Sequence, residues 1–506
     1  RTGEFKEQIM RPFSQSTLKL TKVAGAVSAI CELSEVELSK IEISGLTHND
    51  SQVEPGDLFI AIPGANRHGA EFAMSAVSKG AVAILTDSAG AAYVKGTPVL
   101  VVADPRRVAG NIAALLYNEP MRDLASIGIT GTNGKTTVST LIYQIFEAAG
   151  RDSGLIGTIE TRIGKDAIES SRTTPEATDL QALSAVMRER HMRHLVMEVS
   201  SHAMVLHRMQ GAHFAFVGFT NLTQDHLDFH GDIESYFAAK AKLFTYEFAD
   251  QAVINIDTEY GARLADKTEL PVVSLSRLNP QATWHFTDID TSGKQVHFKI
   301  RGSGGMLVES STKLRGGYNL DNLLMAIAIA VESGVDPIDI AAAVPALSGA
   351  AGRLEEVSVG QSYSAFVDYA HTPDAVSNVL ESIRELTSGK VIAVLGCGGD
   401  RDSSKRPLMG QALLKGCDIA IFTSDNPRSE DPSQILREMA GNLTVSEPAK
   451  VIEDRKSAIE YAISLASQGD TVAILGKGHE LGQEIAGKKL EFDDRKVLAE
   501  AIAGLK

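Results

Sequence analysis

The stretch GITGTNGKTT, residues 128–137, decides the fold of this chain. It follows an apolar run at residues 124–129 and precedes residues 138–149, whose apolar spacing predicts an amphipathic helix. A strand, a glycine-rich turn, a Lys-Thr pair and a helix form a loop in which backbone N–H groups and the helix dipole bind phosphate oxygens. In such a loop Lys135 contacts the terminal phosphates and the hydroxyl of Thr136 ligates Mg²⁺. The stretch therefore predicts a site for a nucleoside triphosphate.

The loop departs from the strict Walker pattern at one position. That pattern requires glycine where this chain has Ile129, and the glycines stand at residues 128, 131 and 134 instead. An ordinary glycine-rich turn between a strand and a helix is the alternative interpretation. We favour the phosphate loop because the strand before it and the helix after it are the context that this motif requires.

Length and composition limit the possible classes of protein. The 506 residues predict about three domains, and contents of 43% apolar and 22% charged residues are typical of a globular protein. The net charge of −15 argues against nucleic-acid and membrane-surface partners. Cys31, Cys397 and Cys417 are too few and too scattered for a disulfide framework or a zinc site, which indicates a reducing compartment. No apolar run approaches the ~18 residues of a membrane span, and the N-terminus lacks the pattern of a signal peptide.

The order of predicted elements divides the chain into three α/β domains, at residues 1–105, 106–349 and 350–506. Residues 1–16 are interpreted as an added tag or a disordered segment. The second and third domains alternate apolar runs with helices, which predicts mostly parallel sheets and a doubly wound third domain.

Polar side chains follow the apolar runs of the second domain. Glu198 lies at the end of the run at 194–199, and His226 follows the run at 215–220. In a parallel sheet ligands bind beyond the carboxyl ends of the strands, so we expect both side chains beside the phosphate loop. A helix cap or a hydrogen-bonded core residue is the alternative interpretation for each. Their joint position favours a Mg²⁺ site, for which a carboxylate is a more usual ligand than an imidazole.

Lys240 lies within an apolar helix face. The spacing predicts a helix over residues 233–248, whose apolar stripe is formed by Ile233, Tyr236, Phe237, Leu243, Phe244 and Phe248. A lysine in the middle of that stripe either extends its ammonium group to solvent or loses its charge, because burial lowers the pKa of an amine. Extension to solvent is the simpler interpretation from periodicity alone. A neutral amine, in contrast, is a nucleophile that reacts with CO₂.

Four apolar runs of the third domain each end in a polar loop. The loops are YAHTP (369–373), GCGGDR (396–401), SDNPR (424–428) and GKGHE (476–480). In a doubly wound domain such loops lie along one edge of the sheet. Turn chemistry explains their glycines and prolines but not the combination of Arg401, Arg428 and Glu480. Guanidinium groups suit carboxylates and a carboxylate suits an ammonium group, so the combination favours an amino-acid site, with a surface ion network as the alternative.

As a set, the motifs resemble those of the Mur ligases. They are GTNGKTT, EVSSH, TNLTQDHLDFHG, YFAAK, GGYNLDN, the pair Gly352-Arg353, VDYAHTP, GCGGDRD, KRPLMG, DNPRSEDP and GKGHE. The resemblance implies an N-terminal UDP-binding domain, a central P-loop ATPase domain and a C-terminal Rossmann-like domain for the amino acid. It also implies a cytoplasmic enzyme of peptidoglycan synthesis that joins an amino acid to a UDP-linked muramoyl peptide, converting ATP to ADP and phosphate through an acyl phosphate.

The resemblance also implies the residues of each site. The nucleotide site would comprise Gly131, Thr132, Asn133, Gly134, Lys135, Thr136, Thr137, Asn319, Arg353, Asp368 and His371. The site for the UDP-muramoyl peptide would comprise His48, Asp50, Asn66, Thr173, Thr174, Ser200 and Arg208. The amino-acid site would comprise Arg401, Asp425, Asn426, Pro427, Arg428, Gly476 and Glu480. Mg²⁺ would be bound by Thr136, Glu198, His226 and a Lys240 carbamylated by CO₂, and the catalytic residues would be Lys135, Lys240, Glu198 and His226.

The expected substrates are ATP, a UDP-muramoyl dipeptide that ends in D-glutamate, and a diamino acid, and we expect the enzyme to be a monomer. Arg428 predicts meso-diaminopimelate as the diamino acid, because only this amino acid has a carboxylate beside its second nitrogen. L-lysine would leave the guanidinium group unpaired. The same reaction with L-lysine or another diamino acid is the nearest alternative.

Two other functions use the same kind of phosphate loop. A folylpolyglutamate synthetase shares the P-loop core, but the long first domain and the DNPR sequence disfavour it. A simple P-loop NTPase or a phosphate-binding regulatory protein needs no ligation site, and the pair Arg428 and Glu480 argues against it.

Overall fold

The computed structural model describes residues 11–13, 16–64, 66–170, 172–293, 295–441 and 449–504, and three large sheets follow one another along them. The alternation of strands and helices confirms the predicted α/β class. One large sheet lies in each predicted domain, with a further two-stranded sheet in the first and in the last, and the boundaries at 105/106 and 349/350 stay predictions. Within the residues that the structure describes, no helix is both long enough and apolar enough to cross a bilayer.

The first part of the chain is a small parallel sheet with helices packed on it. Its elements are β1 (Leu18–Lys19), α1 (Leu20–Ala26), α2 (Glu35–Leu38), β2 (Glu42–Ile43), β3 (Gly45–Thr47), β4 (Asp57–Ile60), α3 (Ala73–Ser78), β5 (Ala83–Thr86), α4 (Ser88–Ala91), β6 (Val99–Val101) and α5 (Pro105–Leu116). The strands β3, β4, β5 and β6 pair in that order. Asp104 caps α5, and Pro105 occupies its first position, where a helix has no use for the missing N–H.

The central part contains the largest sheet. Its elements are α6 (Pro120–Asp123), β7 (Ala125–Thr130), α7 (Lys135–Ala148), β8 (Ser153–Ile156), β9 (Glu160–Ile163), β10 (Asp166–Glu169), α8 (Ala177–Glu189), β11 (His194–Glu198), α9 (Ser201–Val205), β12 (Phe214–Phe219), α10 (Leu227–His230), α11 (Ile233–Ala241), β13 (Ala249–Asn255), α12 (Glu259–Lys267), β14 (Val272–Ser276), β15 (Trp284–Asp290), β16 (Val296–Arg301), β17 (Leu307–Thr312), α13 (Gly317–Glu332) and α14 (Pro337–Ala343). The strand order is β10-β9-β8-β11-β7-β12-β13-β14-β15-β16-β17. The strands from β8 to β15 in this order run parallel, as predicted for the core of the sheet.

Antiparallel strands extend the central sheet at both ends, and the sequence analysis does not predict them. β9 and β10 form one extension, and β16 and β17 form the other. Along β16 and at the start of β15, buried and less buried residues alternate, so these strands lack the continuous apolar runs that indicate a parallel strand. Trp284 of β15 is fully buried and donates its indole N–H to Glu332 at 2.9 Å, which attaches this extension to α13.

The strand order places three loops at one edge of the central sheet. β7 lies between β11 and β12, and the register pairs Ile129 with Glu198 and Thr130 with Phe219. The carboxyl ends of the three strands are therefore level with one another. The turn that follows β7, the side chain of Glu198 and the loop that follows β12 meet at that edge.

The last part has a sheet of the doubly wound kind. Its elements are β18 (Glu355–Glu356), β19 (Ser364–Asp368), α15 (Pro373–Leu386), β20 (Val391–Cys397), α16 (Arg406–Gly416), β21 (Ile419–Ser424), α17 (Pro432–Ala440), β22 (Lys450–Val451), α18 (Arg455–Ser464), β23 (Thr471–Leu475), β24 (Gly482–Ile485), β25 (Lys488–Glu491) and α19 (Asp494–Gly504). The strand order is β18-β19-β23-β20-β21-β22, and the strands from β19 to β22 in this order run parallel. The polar loops after β19, β20, β21 and β23 consequently share one edge, as predicted.

A buried ion pair connects the ends of the strands that precede two of these loops. Arg455 and Asp494 are both fully buried and lie 2.7 Å apart. The same guanidinium group donates to the carbonyl oxygen of Ser424, at the end of β21, and to that of Leu475, at the end of β23. Since a buried guanidinium group requires partners for its donors, Arg455 holds the two strand ends at a set distance from each other.

Candidate active site

Two glycines shape the turn between β7 and α7. Gly131 has φ +146° and Gly134 has φ +87°, conformations that residues with a side chain rarely adopt. A Cβ atom at position 131 would lie 1.9 Å from Oγ1 of Thr220, so there is no space for a side chain. The N–H of Asn133 donates to Oδ1 of Asn221 at 3.0 Å. The loop after β12 therefore supports the turn.

Lys135 is folded back onto its own loop. Its Nζ donates to the carbonyl oxygens of Gly131 at 2.9 Å and of Thr132 at 2.8 Å. Burial lowers the pKa of Lys135, although the negative charge of Glu198 acts in the opposite direction. Two of the three N–H groups of the ammonium form are thus used within the loop, so a phosphate that takes more than one of them requires the side chain to move.

Lys240 does not reach solvent. Its side chain is only 1% exposed, and Nζ donates to the same Gly131 carbonyl oxygen at 2.8 Å and lies 4.6 Å from the centre of the Tyr236 ring. Burial, reinforced by the positive charge of Lys135, holds the pKa of Lys240 well below its ordinary value. The interpretation that the side chain extends to solvent is therefore wrong, and burial favours the uncharged form of the amine.

The helix that carries Lys240 is shorter than the apolar spacing predicts. α11 ends at Ala241, and the predicted helix over 233–248 is wrong in its second half. After that point the backbone tightens, since Leu243 N–H donates to Lys240 and Phe244 N–H donates to Ala241, each three residues back. Leu243 and Phe244 stay buried because these turns keep them on the same core.

Thr136 and Glu198 form the oxygen-rich part of the site. The Thr136 hydroxyl donates to Oε2 of Glu198 at 2.9 Å, and the N–H of Thr158 donates to Oε1 at 2.7 Å. Glu198 is 1% exposed. A hydroxyl and a carboxylate in contact beside a phosphate loop are donors that suit Mg²⁺.

The other two predicted magnesium ligands, His226 and Lys240, have other partners than Thr136 and Glu198. Nε2 of His226 lies 3.3 Å from Oδ2 of Asp225, and burial lowers the pKa of His226 to about 3, so its imidazole is neutral. Lys240 is bound to Gly131. Among the described residues, no group of three or more His, Cys, Asp or Glu side chains is arranged to hold a metal ion.

A cavity of about 400 Å³ opens beside the phosphate loop, between the central and last parts. Of the residues predicted to bind nucleotide, those that line it are Asn133, Gly134, Thr137, Arg353, Asp368 and His371. Asn319 does not line it, and its amide donates to the Arg315 carbonyl oxygen at 2.9 Å. Gly131, Thr132, Lys135 and Thr136 lie in the loop and do not line this cavity either.

The cavity also contains polar residues that the sequence analysis misses. Arg277 and Asp321 form an ion pair at 2.9 Å, and burial raises the pKa of Asp321 to about 6 despite that partner. Asn322 approaches Gly134, where a Cβ atom would lie 2.4 Å from its Oδ1. Asp321 and Asn322 belong to the motif GGYNLDN, which was the available signal, whereas nothing local to Arg277 indicates its position.

Three contacts in and beside the cavity join the central and last parts. The Asn133 amide donates to Asp374 at 3.2 Å, and Arg353 donates to the Thr136 hydroxyl at 3.4 Å. Lys405 lies 3.6 Å from Asp225. The last part thus contributes side chains directly to the phosphate loop and its surroundings.

The residues predicted for the UDP-muramoyl peptide fall into two groups. Thr173, Thr174, Ser200 and Arg208 lie together around the end of β11, where Thr174 donates to the Glu198 carbonyl oxygen at 2.9 Å and Arg208 donates to the Thr174 carbonyl oxygen at 3.2 Å. His48 joins this group through a 3.1 Å contact with Thr178 of α8. Asp50 instead accepts from Ser75 within the first part, and Asn66 lies exposed on a loop.

One carboxylate of this region, Glu176, is surrounded by arginines, and the sequence analysis misses it. Glu176 lies 2.7 Å from Arg106 and 3.1 Å from Arg208, and it also pairs with Arg172. Burial opposes ionisation of Glu176, but the arginines, led by Arg208, lower its pKa. The three guanidinium groups outnumber Glu176 and the neighbouring carboxyl of Asp179, and an excess of positive charge suits an anionic substrate.

The residues predicted for an amino acid lie around the ends of β21 and β23. The Asn426 amide donates to Oε2 of Glu480 at 2.7 Å, and Gly476, with φ +113°, forms the turn after β23. Asp425 is buried beside them, and the Pro427 carbonyl oxygen accepts from the N–H of Glu430 at 3.0 Å. Arg401 is exposed at the rim.

Arg428 has partners already. It adopts φ +53°, donates to the Gly399 carbonyl oxygen at 2.6 Å, and its Nε lies 3.6 Å from Glu484 of β24. The expectation that L-lysine would leave this guanidinium group unpaired is therefore wrong. A substrate carboxylate would compete with Glu484 for Arg428, and Glu484 would stabilise the guanidinium group when no such carboxylate is present.

Three family models match the sequence. They are the Mur ligase family catalytic domain at residues 42–117, the Mur ligase middle domain at 129–330 and the Mur ligase glutamate ligase domain at 352–478. Together they span the three sheets described above.

Named relatives agree with these models. The UDP-N-acetylmuramoyl-L-alanyl-D-glutamate–2,6-diaminopimelate ligase of Streptomyces coelicolor is 49% identical over 469 residues, which cover 91% of this chain and 92% of that protein. A solved structure of a ligase of the same name has a TM-score of 0.68 at 31% identity, covering 97% of this chain and 99% of that one. The MurF ligase from Thermotoga maritima, solved in complex with ADP, has a TM-score of 0.61 at 18% identity, covering 91% of this chain and 96% of that one, and this likeness concerns the fold alone.

Replacement of Lys135 tests the phosphate loop. Lys135→Ala should weaken ATP binding at least about ten-fold, because charge-assisted hydrogen bonds contribute roughly 1.5–3 kcal/mol. Isothermal titration with MgATP measures the affinity, and circular dichroism shows whether the fold is kept. Lys165→Ala, at an exposed position between β9 and β10, is the matched control. Unchanged affinity in Lys135→Ala would contradict the assignment of this loop.

Proposed function

The chain belongs to the Mur ligase family, and we propose that it adds meso-diaminopimelate to UDP-N-acetylmuramoyl-L-alanyl-D-glutamate at the expense of ATP. It is an ATP-dependent ligase that forms amide bonds, as its family membership and close relatives indicate. The reaction is a step in the synthesis of peptidoglycan. Its location in the cytoplasm and its action as a monomer stay predictions.

The observation that carries the proposal is the presence of a guanidinium group and a carboxylate on two loops that meet at the edge of the last sheet. Arg428 follows β21 and Glu480 follows β23, and Asn426 bonds to Glu480 between them. A diamino acid with a second carboxylate would present that carboxylate to Arg428 and the adjacent ammonium group to Glu480. The relative that is 49% identical is named for ligation of 2,6-diaminopimelate, which supports the assignment.

The reaction has two steps. The D-glutamate carboxylate attacks the γ-phosphorus of ATP, which forms an acyl phosphate and releases ADP. The amine of the diamino acid then attacks the acyl carbon, so that an amide bond forms, phosphate leaves and a proton is released. The phosphate loop would bind ATP, with Lys135 moving from the carbonyl oxygens of Gly131 and Thr132 to the phosphoryl oxygens, where its charge stabilises the transition state.

Thr136 and Glu198 are the residues that we expect to hold Mg²⁺, with His226 and a carbamylated Lys240 as further ligands. When bound, the ion would neutralise charge that develops on the phosphates. Lys240 is a buried amine whose lowered pKa favours the uncharged form, and the nitrogen of that form can attack CO₂ with loss of a proton to form a carbamate. The carbamate would place an anionic oxygen next to Lys135, which the free amine does not supply.

Water has to be excluded from this site, since an acyl phosphate hydrolyses. Arg353, Lys405 and Asp374 reach from the last part to the surroundings of the phosphate loop. Movement of the last part against the central part would close the cavity over ATP and bring the amino acid to the acyl phosphate.

Dependence of phosphate release on both substrates tests the proposed function. With ATP, UDP-muramoyl dipeptide and meso-diaminopimelate, phosphate should appear in equal amount to the tripeptide product, and omission of either cosubstrate should abolish steady release. Turnover of ATP without them would indicate a simple NTPase. Direct competition between meso-diaminopimelate and L-lysine decides the amino acid, and preference for L-lysine would contradict the assignment.

Arg428 should discriminate between the two amino acids. Arg428→Ala should raise the KM for meso-diaminopimelate by about ten- to a hundred-fold, because a charge-assisted bidentate contact to its second carboxylate is lost. The KM for L-lysine, which lacks that carboxylate, should change far less. Steady-state kinetics with each amino acid provide the comparison, with Arg437→Ala on the exposed face of α17 as the control. Equal effects on both amino acids would assign Arg428 another partner.

Lys240 should be required as a carbamate. Lys240→Ala should lower turnover at least about a hundred-fold, because an electrostatic contribution at the reacting phosphoryl group is lost, and added acetate or formate should restore part of it. A ¹³C NMR signal from ¹³C-bicarbonate should appear in the wild type and be missing in the variant. Lys242→Ala, two residues along, is the control. Full activity of Lys240→Ala without added carboxylate would refute the role.

A further inference from the structure

A third lysine of the site region, Lys477, has no role in the steps described above. It follows Gly476 at the end of β23, and it is fully buried. Its Nζ lies 2.9 Å from Oε2 of Glu480, 3.0 Å from Oδ1 of Asn426 and 3.3 Å from Oδ1 of Asp425. An ammonium group has three N–H donors, and here three oxygens accept from them. Lys477 therefore has no donor left for a substrate and acts only through these neighbours.

Lys477 determines which oxygen of Glu480 remains available. Oε2 of Glu480 accepts from both Lys477 and the Asn426 amide, at 2.9 and 2.7 Å. Within the described part of the chain, Oε1 takes part in no hydrogen bond, and the Glu480 side chain is 30% exposed. Oε1 is consequently the acceptor that an incoming ammonium group would find, and the two donors on Oε2 fix its direction.

The same lysine orients the Asn426 amide. Oδ1 of Asn426 accepts from Lys477 and from the N–H of Glu484, the latter at 3.0 Å, while its Nδ2 donates to Glu480. A lysine has only donors and an ionised glutamate has only acceptors, so a flipped amide would face a donor with a donor and an acceptor with an acceptor. The charges of Lys477 and Glu480 thus leave the amide one orientation.

The topology shows which loops Lys477 connects. Lys477 and Glu480 follow β23, whereas Asp425 and Asn426 follow β21, and β20 lies between these strands. Two strand spacings separate the loops by roughly 10 Å. One positive charge between the carboxylates of Asp425 and Glu480 leaves the cluster with a single net negative charge, which matches one ammonium group.

We propose that Lys477 is a positioning residue for the amino-acid substrate, which holds Glu480 and Asn426 in the arrangement that receives the ammonium group beside the second carboxylate. The inference rests on the proposed function. It goes further in assigning recognition of the ammonium group to Oε1 of Glu480 and the orientation of that oxygen to Lys477.

A double-mutant cycle tests this role. Lys477→Met should raise the KM for meso-diaminopimelate by about ten- to a hundred-fold, because Glu480 loses a charge-assisted hydrogen bond that orients it, while the KM for ATP stays at the wild-type value. Glu480→Gln should have an effect of similar size. The double variant should resemble the single ones, because Lys477 acts through Glu480.

Further variants keep the test decisive. Lys477→Gln, which retains a shorter donor and needs no charge compensation, replaces Lys477→Met if that protein does not fold, and it should give a smaller rise in the KM for the amino acid. Lys488→Met, at an exposed lysine of β25, should leave both KM values unchanged. Thermal unfolding of each variant shows how much stability is lost.

The outcomes separate this inference from the proposed function. A wild-type protein that ligates no diamino acid would remove both. If the wild type ligates meso-diaminopimelate and Lys477→Met keeps its KM, or raises the KM for ATP equally, the positioning role is wrong and the proposed function stands. Effects that multiply in the double variant would also overturn it, since they would show that Lys477 acts independently of Glu480.

Discussion

Two buried amines converge on one carbonyl oxygen, that of Gly131, and the arrangement of the site depends on this contact. Lys135 and Lys240 donate to it at 2.9 and 2.8 Å, although they are 105 positions apart in the chain. Burial lowers the pKa of both amines, and the charge of Lys135 lowers that of Lys240 further. Two amines so close together are stable as cations only beside anions. Anionic groups beside the two amines would therefore be favourable, which is consistent with the proposed phosphate contact of Lys135 and the proposed carbamate on Lys240.

The order of the strands brings strand ends that are distant in sequence to one edge of each sheet. β11 and β12 flank β7, so Glu198 and the loop that holds His226 lie on either side of the phosphate turn. The last part has the same arrangement. Arg428 and Glu480 lie on loops that follow two strands, and Arg455 donates hydrogen bonds to the ends of both strands. Side chains such as Arg353 connect the two edges. The loops at the two sheet edges are thus brought near each other beside the cavity.

Local sequence patterns were sufficient to predict many structural features of this protein. The parallel strands of the central and last sheets follow from continuous apolar runs, and the phosphate turn follows from its glycines, because these signals lie within a few residues of one another. The same reasoning failed where the signal was weaker. The antiparallel strands β16 and β17 alternate buried and exposed residues, and α11 ends at Ala241 although the apolar spacing continues to Phe248.

The sequence by itself determined the fold class, the phosphate loop and the family, because each depends on contiguous motifs. Only the tertiary structure decided which side chains meet. It buried Lys240 rather than exposing it, paired Arg428 with Glu484, gathered three arginines around Glu176, and set Lys477 against Asp425 at a separation of 52 residues. Such contacts depend on strand order and on the depth at which a side chain is buried. Neither quantity is expressed in the spacing of residues along the chain, because strands that are neighbours in a sheet need not be neighbours in sequence.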